Sequence, residues 1–452
     1  MVRDMTKGRP LPIMIRFTIP LLLGTIFQQL YNMADTVIVG RFISPDALAA
    51  VGTTGALNFL VLGFTIGLCS GFCIPVSQRF GAGDINEMRR FAANAVYLCA
   101  FFAVILTTLT MLFTRQLLQF MDVPEEIIDM SYSYIIFIFG GIPVAIVYNI
   151  QACLLRALGD SKTPLYFLAL SSLINIVLNL LFVVVLGLHD VRYIGLGTVI
   201  AQSVSAILCF IYIRRSFPIL RFTKEEMKFS AKHAKKLLSM GVPMGLQFSI
   251  TALGSLILQK AINGLGTIAM ASLTTGNRIS LFLFMPMETV GLTMATFCGQ
   301  NLGAQKLARI RQGIRISMLV QLAYSVLVAG VVSWFFGRSL AAIFVGAAET
   351  QIIENVAFQL RVMAVSFFSI GVLFIFRNSL QGLGYSMMAM TAGFCELAAR
   401  LFVAFFLVER FGFQGAVFAG PLSWVLADIV LIPAYFVIMK RLKKKIETAG
   451  LF

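Results

Sequence analysis

The sequence predicts an all-α integral membrane protein, with twelve transmembrane helices in two six-helix lobes related by a pseudo-twofold axis. Of its 452 residues, 59% are hydrophobic and only 12% are charged, and the mean hydropathy is +0.89. A soluble domain has about 25% charged residues, so an ordinary soluble enzyme, a disordered chain and a coiled coil are excluded. A transmembrane helix needs about 20 apolar residues, so twelve would use roughly 240, about half of this chain.

Twelve continuous apolar segments follow one another along the chain. They do not alternate in polarity, which excludes the strands of a transmembrane barrel. Within lipid the backbone polar groups must be satisfied inside each segment, so each one is predicted to be a helix. The predicted helices are 13–39, 47–76, 88–113, 127–154, 164–187, 194–214, 238–263, 270–298, 312–336, 350–376, 385–408 and 415–440.

The basic residues predict the orientation. With the N-terminus inside, the inner loops and termini hold 26 Lys and Arg and the outer loops hold 5. This asymmetry predicts a multi-pass protein of the cell membrane with both termini in the cytoplasm. The net charge of +16 does not indicate nucleic-acid binding, because the charges lie in short loops and not on one folded face.

The two halves of the chain repeat each other. QRFGA at 78–82 returns as QNLGA at 300–304, the loop at 155–161 returns at 380–386, and Pro20 corresponds to Pro243. Six helices per half give the halves the same orientation, as in secondary transporters. The predicted domains are an N-terminal lobe at 1–214, a cytoplasmic linker at 215–236, a C-terminal lobe at 237–440 and a basic tail at 441–452.

Polar side chains recur at helical spacing in the first half. Gln28, Asn32 and Asp35 share one face of the first helix, and Asn175 and Asn179 lie one turn apart on the fifth. An ionisable residue within the membrane is a functional candidate. If Asp35 faces the two amides, the three form a cation site or a protonation site. The alternatives are a carboxylate at the outer interface and hydrogen bonds that only join helices.

The second half has fewer candidates. Glu288 lies in the middle of a predicted helix, close to Met285 and Met287 in the sequence. These three residues are predicted to bind a cationic substrate. Glu396 and Arg400 are four residues apart and are expected to pair. Lys260 or Arg278 is expected to supply a counter-charge to Glu288. Arg361 and Arg377 lie near helix ends and are expected to reach the interface.

The sequence offers no catalytic or cofactor signature. It has seven Cys and two His but no paired metal-ligand motif, and no GxxxxGK[ST] phosphate loop. We therefore expect no enzyme activity and no cofactor. Pro20 and Pro243 lie within predicted helices, each near a glycine, and are predicted hinges.

Several motifs together resemble the multidrug and toxic compound extrusion (MATE) family over nearly the whole chain. They are QQLYNMADTVIVG at 28–40, QRFGA at 78–82, RALGDS at 156–161, QNLGA at 300–304 and QGLG at 381–384. The resemblance implies a V-shaped pair of six-helix lobes that exports organic cations in exchange for H⁺ or Na⁺.

The resemblance also implies roles for particular residues. The family's N-terminal cation site corresponds to Asp35, Asn175 and Asn179, which would be the metal ligands if the ion is Na⁺. The hydroxyl of helix 6 corresponds to Thr198, and Pro20 to a proline linked to bending. Asn179 departs from members that carry an acid there, and 240–263 has no acid for a second-lobe site.

These observations predict a monomeric antiporter in the lipid bilayer that exports small organic cations by alternating access. Two alternatives remain open at this point. One is a lipid-linked saccharide flippase of the related superfamily, which would have more helices or a strongly charged central cavity. The other is a receptor or scaffold without transport activity, which would not need the duplicated halves or the polar faces.

Overall fold

The computed structural model describes residues 4–346 and 349–448, and within these ranges all regular secondary structure is helical. Eleven helices are long and apolar enough to cross a membrane, and a bent helix pair makes a twelfth. The prediction of twelve transmembrane helices is therefore confirmed. Residues 1–3 of the predicted N-terminal lobe and 449–452 of the predicted tail lie outside the described residues.

We number the twelve spans α1–α12 in chain order. Their bounds are α1 Pro10–Phe42, α2 Pro45–Gly81, α3 Ile85–Phe120, α4 Glu125–Gly140 with Ile142–Ala157, α5 Lys162–Val185, α6 Val191–Ser216, α7 Ala231–Asn263, α8 Thr267–Gly303, α9 Leu307–Phe335, α10 Thr350–Gly382, α11 Ser386–Val417 and α12 Ala419–Thr448.

Most helices extend beyond the predicted apolar segments because their ends are polar. The Asp84 side chain accepts a hydrogen bond from the Glu87 amide (3.2 Å) and caps α3, which begins three residues before the predicted start. Ser44 caps α2 in the same way through the Ala47 amide (3.0 Å). A further short helix, Gly337–Val345, was not predicted.

The fourth span is bent by 47° where Gly140 meets Ile142. Pro143, in the first turn of the second part, has no amide hydrogen to continue the helical ladder. A Cβ on Gly141 would lie 2.5 Å from a methyl group of Val199, so glycine permits the close approach of α6. Hydropathy alone predicted one continuous helix over 127–154.

Three spans contain a π-helical turn: Leu181–Val185 in α5, Ser325–Gly330 in α9 and Val403–Leu407 in α11. The turns in α5 and α11 are separated by 222 residues, the same offset as the QRFGA and QNLGA motifs. The repeat inferred from sequence is therefore also visible in local backbone geometry. π-Turns often occur at functional sites.

The chain divides into two compact units. Among the described residues, one contains Asp4 and Ile19–Gly245, and the other contains Met5–Thr18 and 246–448. Two of the three passages between units fall inside a helix, beside Pro20 in α1 and beside Pro243 in α7. The predicted domain bounds stay predictions, as do the hinge roles of the two prolines.

The segment before α1 is held in the second unit by backbone contacts. The Met5 amide donates to Gln300 (2.8 Å), and the Arg309 guanidinium donates to the carbonyls of Met5, Lys7 and Gly8. Carbonyls without a helical partner are thereby satisfied.

The linker between α6 and α7 is tied to α3 in the first unit. Arg89 donates to the Ile219 carbonyl (2.8 Å) and to Glu226 (3.3 Å), and the Thr223 amide donates to Glu226 (2.7 Å). Burial would raise the pKa of Glu226, but the hydrogen bonds from Thr223 and Arg89 outweigh it and hold that pKa below its usual range. The linker is therefore an ordered part of the unit.

In the first unit α2 and α7 meet through two glycine pairs, each with three residues between its members. A Cβ on Gly67 would lie 2.5 Å from the Met244 carbonyl oxygen, and a Cβ on Gly71 would lie 2.5 Å from the Gly241 Cα. A Cβ on Gly245 of α7 would lie 2.8 Å from the ring of Phe64 in α2. Small residues at this spacing allow helix backbones to approach closely in membranes.

We expect Gly71→Ala to lower the free energy of unfolding by about 1–3 kcal/mol, because the added methyl group has to push two backbones apart. Thermal unfolding of the purified protein in detergent measures this. Gly55→Ala in the same helix is the control, because no atom lies within 4 Å of its Cβ position; it should be neutral or stabilising. Equal behaviour of the two variants would contradict the close-packing argument.

Candidate functional site

Asp35 of α1 makes a direct contact with α5. Its Oδ1 accepts a hydrogen bond of 2.7 Å from the Asn179 side-chain amide, across 144 residues of sequence. Asp35 itself is half-buried, whereas Asn179 is fully buried. The predicted juxtaposition of the carboxylate with the α5 amides is therefore present in the structure.

The hydrogen bonds continue from Asn179 along α5 to α6. The Asn179 amide also donates to Asn175 Oδ1 (3.1 Å), and the Asn175 amide donates to Thr198 Oγ1 (3.0 Å). Thr198 donates to the Ile194 carbonyl within its own helix (3.0 Å). Asp35, Asn179, Asn175 and Thr198 thus form one chain of hydrogen bonds, which we call the Asp35 cluster.

The side-chain oxygen of Asn179 differs from that of Asn175. Asn179 Oδ1 is buried and has no hydrogen-bond partner among residues 4–346 and 349–448. Asp35 Oδ1 and Asn175 Oδ1 each accept an amide hydrogen instead. This arrangement suits a proton on the carboxyl group without rearrangement. A Na⁺ ion, which takes oxygen ligands, would require the amides to turn so that their oxygens converge.

Gly197 sets the position of Asn179. A Cβ at residue 197 would overlap Asn179 Oδ1, so the α5 amide can occupy its place only because α6 carries glycine there. The amide is therefore held between α6 and the Asp35 carboxylate.

Two tyrosines next to the Asp35 cluster were not predicted from the sequence. Tyr31 interacts with the Thr198 side chain and lies close enough to Asp35 for the charge of that carboxylate to act on it. The charge of Asp35 also acts on Tyr134 of α4. Tyr31 precedes Asp35 by four residues, so the helical spacing placed it on the same face. Tyr134 lies in an apolar run and gave no such signal.

Gln28 and Asn32 do not join the cluster. Their side chains are exposed, and within the described ranges neither makes a hydrogen bond with Asp35 or the α5 amides. The predicted polar face of α1 therefore divides into an exposed part and a half-buried carboxylate.

Glu288 and the two methionines predicted to bind substrate with it differ in how far they are buried. Met285 and Met287 are 3% and 0% exposed, whereas Glu288 is half-buried. The charge of Arg377 acts on Glu288. The two methionines pack inside the second unit and present no surface to a ligand in this arrangement.

Charged residues of the second unit form a buried network. Arg400 contacts Glu396 (3.6 Å), which confirms that pair, and Arg377 contacts the same carboxylate (3.4 Å). The expectation that Arg377 reaches the interface is wrong, because its side chain is only 14% exposed and is paired inside. Sequence reasoning also missed Asp428, which accepts a 2.6 Å hydrogen bond from Ser369.

The metal prediction can be compared with the side-chain geometry. Within the described residues no group of three or more His, Cys, Asp or Glu could hold a metal ion. Any cation at the Asp35 cluster would therefore depend on one carboxylate and neutral oxygens, a donor set suited to a weakly held monovalent ion.

Twelve apolar spans in two repeated halves, with a buried polar cluster joining α1, α5 and α6, define an α-helical membrane transporter. The family model described as MatE matches residues 20–181 and 243–406, one block in each half. The chain therefore belongs to the MATE family, which is a family of transporters.

Similar proteins support this assignment. A probable multidrug resistance protein of Bacillus subtilis is 29% identical over 348 residues, covering 75% of this chain and 74% of the relative. A probable multidrug resistance protein of Thermotoga maritima is 27% identical over 432 residues, covering 92% and 89%. The crystal structure of a MATE protein in complex with MaL6 has a TM-score of 0.89 at 20% identity, covering 98% of this chain and 99% of that one. This last similarity concerns the fold alone.

Proposed function

We propose that the protein is a multidrug exporter that exchanges small organic cations for H⁺ or Na⁺. Two relatives carry multidrug resistance in their names. The observation that carries the ion-coupling part is the hydrogen bond from Asn179 to Asp35, because it connects the one carboxylate of the cluster to two further helices.

The exchange follows from the charge of Asp35. An ionised carboxylate accepts a strong, charge-assisted hydrogen bond from Asn179. Binding of H⁺ or Na⁺ neutralises that charge and weakens the bond, so α1 is released from α5. The loss of negative charge also lowers the affinity for a cationic substrate. Coupling arises because ion and substrate favour different states.

Pro20 and Pro243 are proposed hinges for this change. Each lies within three residues of a passage between the two compact units. A proline interrupts the helical ladder and makes bending at that turn less costly. Movement of α1 at Pro20 would carry Asp35 with it.

The substrate contacts are also a proposal. In the first unit the proposed contacts are Gln28 and Asn32, which are exposed on the face of α1 that leads to Asp35. In the second unit the proposed contact is the half-buried Glu288. Met285 and Met287 would contact substrate only in a conformation that uncovers them. We further propose that the protein is a monomer in the cell membrane with both termini in the cytoplasm, on the basis of the Lys and Arg distribution.

Ethidium transport in everted membrane vesicles tests the function. We expect ethidium movement when a pH gradient or a sodium gradient is imposed, and the gradient that drives it identifies the ion. Vesicles without the protein provide the background. No transport above background with either gradient would contradict the proposed exchange and favour a membrane protein without transport activity.

A further inference from the structure

A basic pocket lies at one end of the first unit, where α2 ends and α3 and α7 begin. Its volume is about 480 Å³, which is within the usual range for small-molecule sites. Arg79 contributes from α2, and Lys232, Lys235 and Lys236 from α7. The Lys and Arg distribution predicts that this end of the helices faces the cytoplasm.

The pocket has a large excess of positive charge. Four cations and the Glu87 carboxylate line it, and Arg79 also contacts Asp84 (3.5 Å). Glu87 is already engaged by Arg90 (3.2 Å) and by His233 (3.0 Å). An anion entering the pocket would therefore meet Lys232 and Lys235, which form no ion pair with either acid.

The helix end adds to the same field. α7 begins at Ala231, and its first turn contains no acidic residue. The amino end of a helix carries partial positive charge and normally favours acids, so the lysines of the pocket repel both one another and the helix end. A bound anion would relieve this repulsion and accept hydrogen bonds from the lysines.

The wall of the pocket is held in place. His233 is buried, and its ring nitrogens contact Ser230 (2.7 Å) and Glu87 (3.0 Å). Its ring packs edge-on against Phe91, with 4.6 Å between centroids. The lysines on either side of His233 therefore project from a fixed surface, which lowers the entropic cost of binding.

Neighbouring apolar side chains indicate a lipid and not a soluble anion. Met227 and Phe229 belong to the linker just before α7, yet they are 46% and 64% exposed. Tyr97 fixes this part of the linker by donating to the Met227 carbonyl (2.8 Å). Exposed apolar residues a few positions from a cluster of lysines in the sequence are typical of segments that lie at the headgroup level of a bilayer.

We propose that this pocket binds the headgroup of an anionic glycerophospholipid, with the phosphate between Arg79 and the lysines of α7 and the acyl chains beside Phe229. The site lies apart from the Asp35 cluster and does not depend on transport.

Native mass spectrometry of the full chain in neutral detergent tests this site, with phosphatidylglycerol and phosphatidylcholine as probes. We expect phosphatidylglycerol to bind at least about tenfold more tightly, in line with the contribution of several basic residues near a membrane surface. The variant K232Q/K235Q/K236Q should lose this preference, and the single change Lys235→Gln should weaken it. The matched control K443Q/K444Q/K445Q removes the same charge near the end of α12 and should keep it.

Three results would overturn the proposal. The wild type could bind the two lipids equally, the α7 variants could keep the preference, or the control could lose it to the same extent. A competition with inorganic phosphate separates the two sources of the anion. Phosphate that displaces phosphatidylglycerol at equal concentration would show a phosphate site and exclude a lipid site.

Discussion

Asp35→Asn is expected to reduce gradient-driven ethidium efflux at least about tenfold, the loss that a coupling free energy of about 1.4 kcal/mol would produce. Asparagine has the shape of a neutral aspartic acid but cannot bind a proton or supply a negative oxygen. The variant should therefore imitate the ion-bound state permanently. Efflux from vesicles with matched amounts of protein measures the effect.

Substrate binding distinguishes lost coupling from lost folding. In the wild type, ethidium affinity should fall when H⁺ or Na⁺ is added, because linkage is reciprocal. In Asp35→Asn the affinity should be low and should not respond to either ion. Asp46→Asn makes the same chemical change at an exposed position in the first turn of α2 and should behave as wild type. Gradient-driven efflux by Asp35→Asn at the wild-type rate would refute the coupling role.

The contact between α1 and α5 could be predicted because both partners carry helical periodicity. Asn175 and Asn179 stand out in an apolar helix, and Asp35 is the one acid in its segment. The family resemblance added Thr198, which the structure places on Asn175. Spacing along single helices therefore identified most of the cluster.

The features that the sequence did not predict depend mostly on contacts between helices. Arg377 lies five residues before the end of α10, which suggested an interfacial position, but its partner Glu396 comes from α11. Asp428 carries the same signal as Asp35, a single acid in an apolar segment, and could have been predicted, but only the fold brings its partner Ser369 to it. The bend in α4 and the π-turns likewise depend on backbone packing, which hydropathy does not encode.

Gly197 offers an independent test of the cluster because it does not itself carry any polar side chain. A methyl group at this position would overlap Asn179 Oδ1. Asn179 is fully buried, so its side chain cannot make room by moving into solvent. We expect Gly197→Ala to displace the amide from Asp35 and to remove a hydrogen bond to a charged group, a loss of about 1.5–3 kcal/mol. Ethidium affinity should then respond less to H⁺ or Na⁺ than in the wild type.

The effect of Gly197→Ala on the free energy of unfolding should change sign when Asn179 is shortened to alanine. In the wild-type background Gly197→Ala should destabilise the protein by about 1–3 kcal/mol through overpacking. In the Asn179→Ala background the clash is gone, and only the better helix propensity of alanine remains, a gain of up to about 1 kcal/mol. Thermal unfolding of the four proteins in one detergent gives this cycle. If Gly197→Ala has the same effect in both backgrounds, the α6 glycine does not position Asn179, and the hydrogen bond to Asp35 owes its geometry to some other contact.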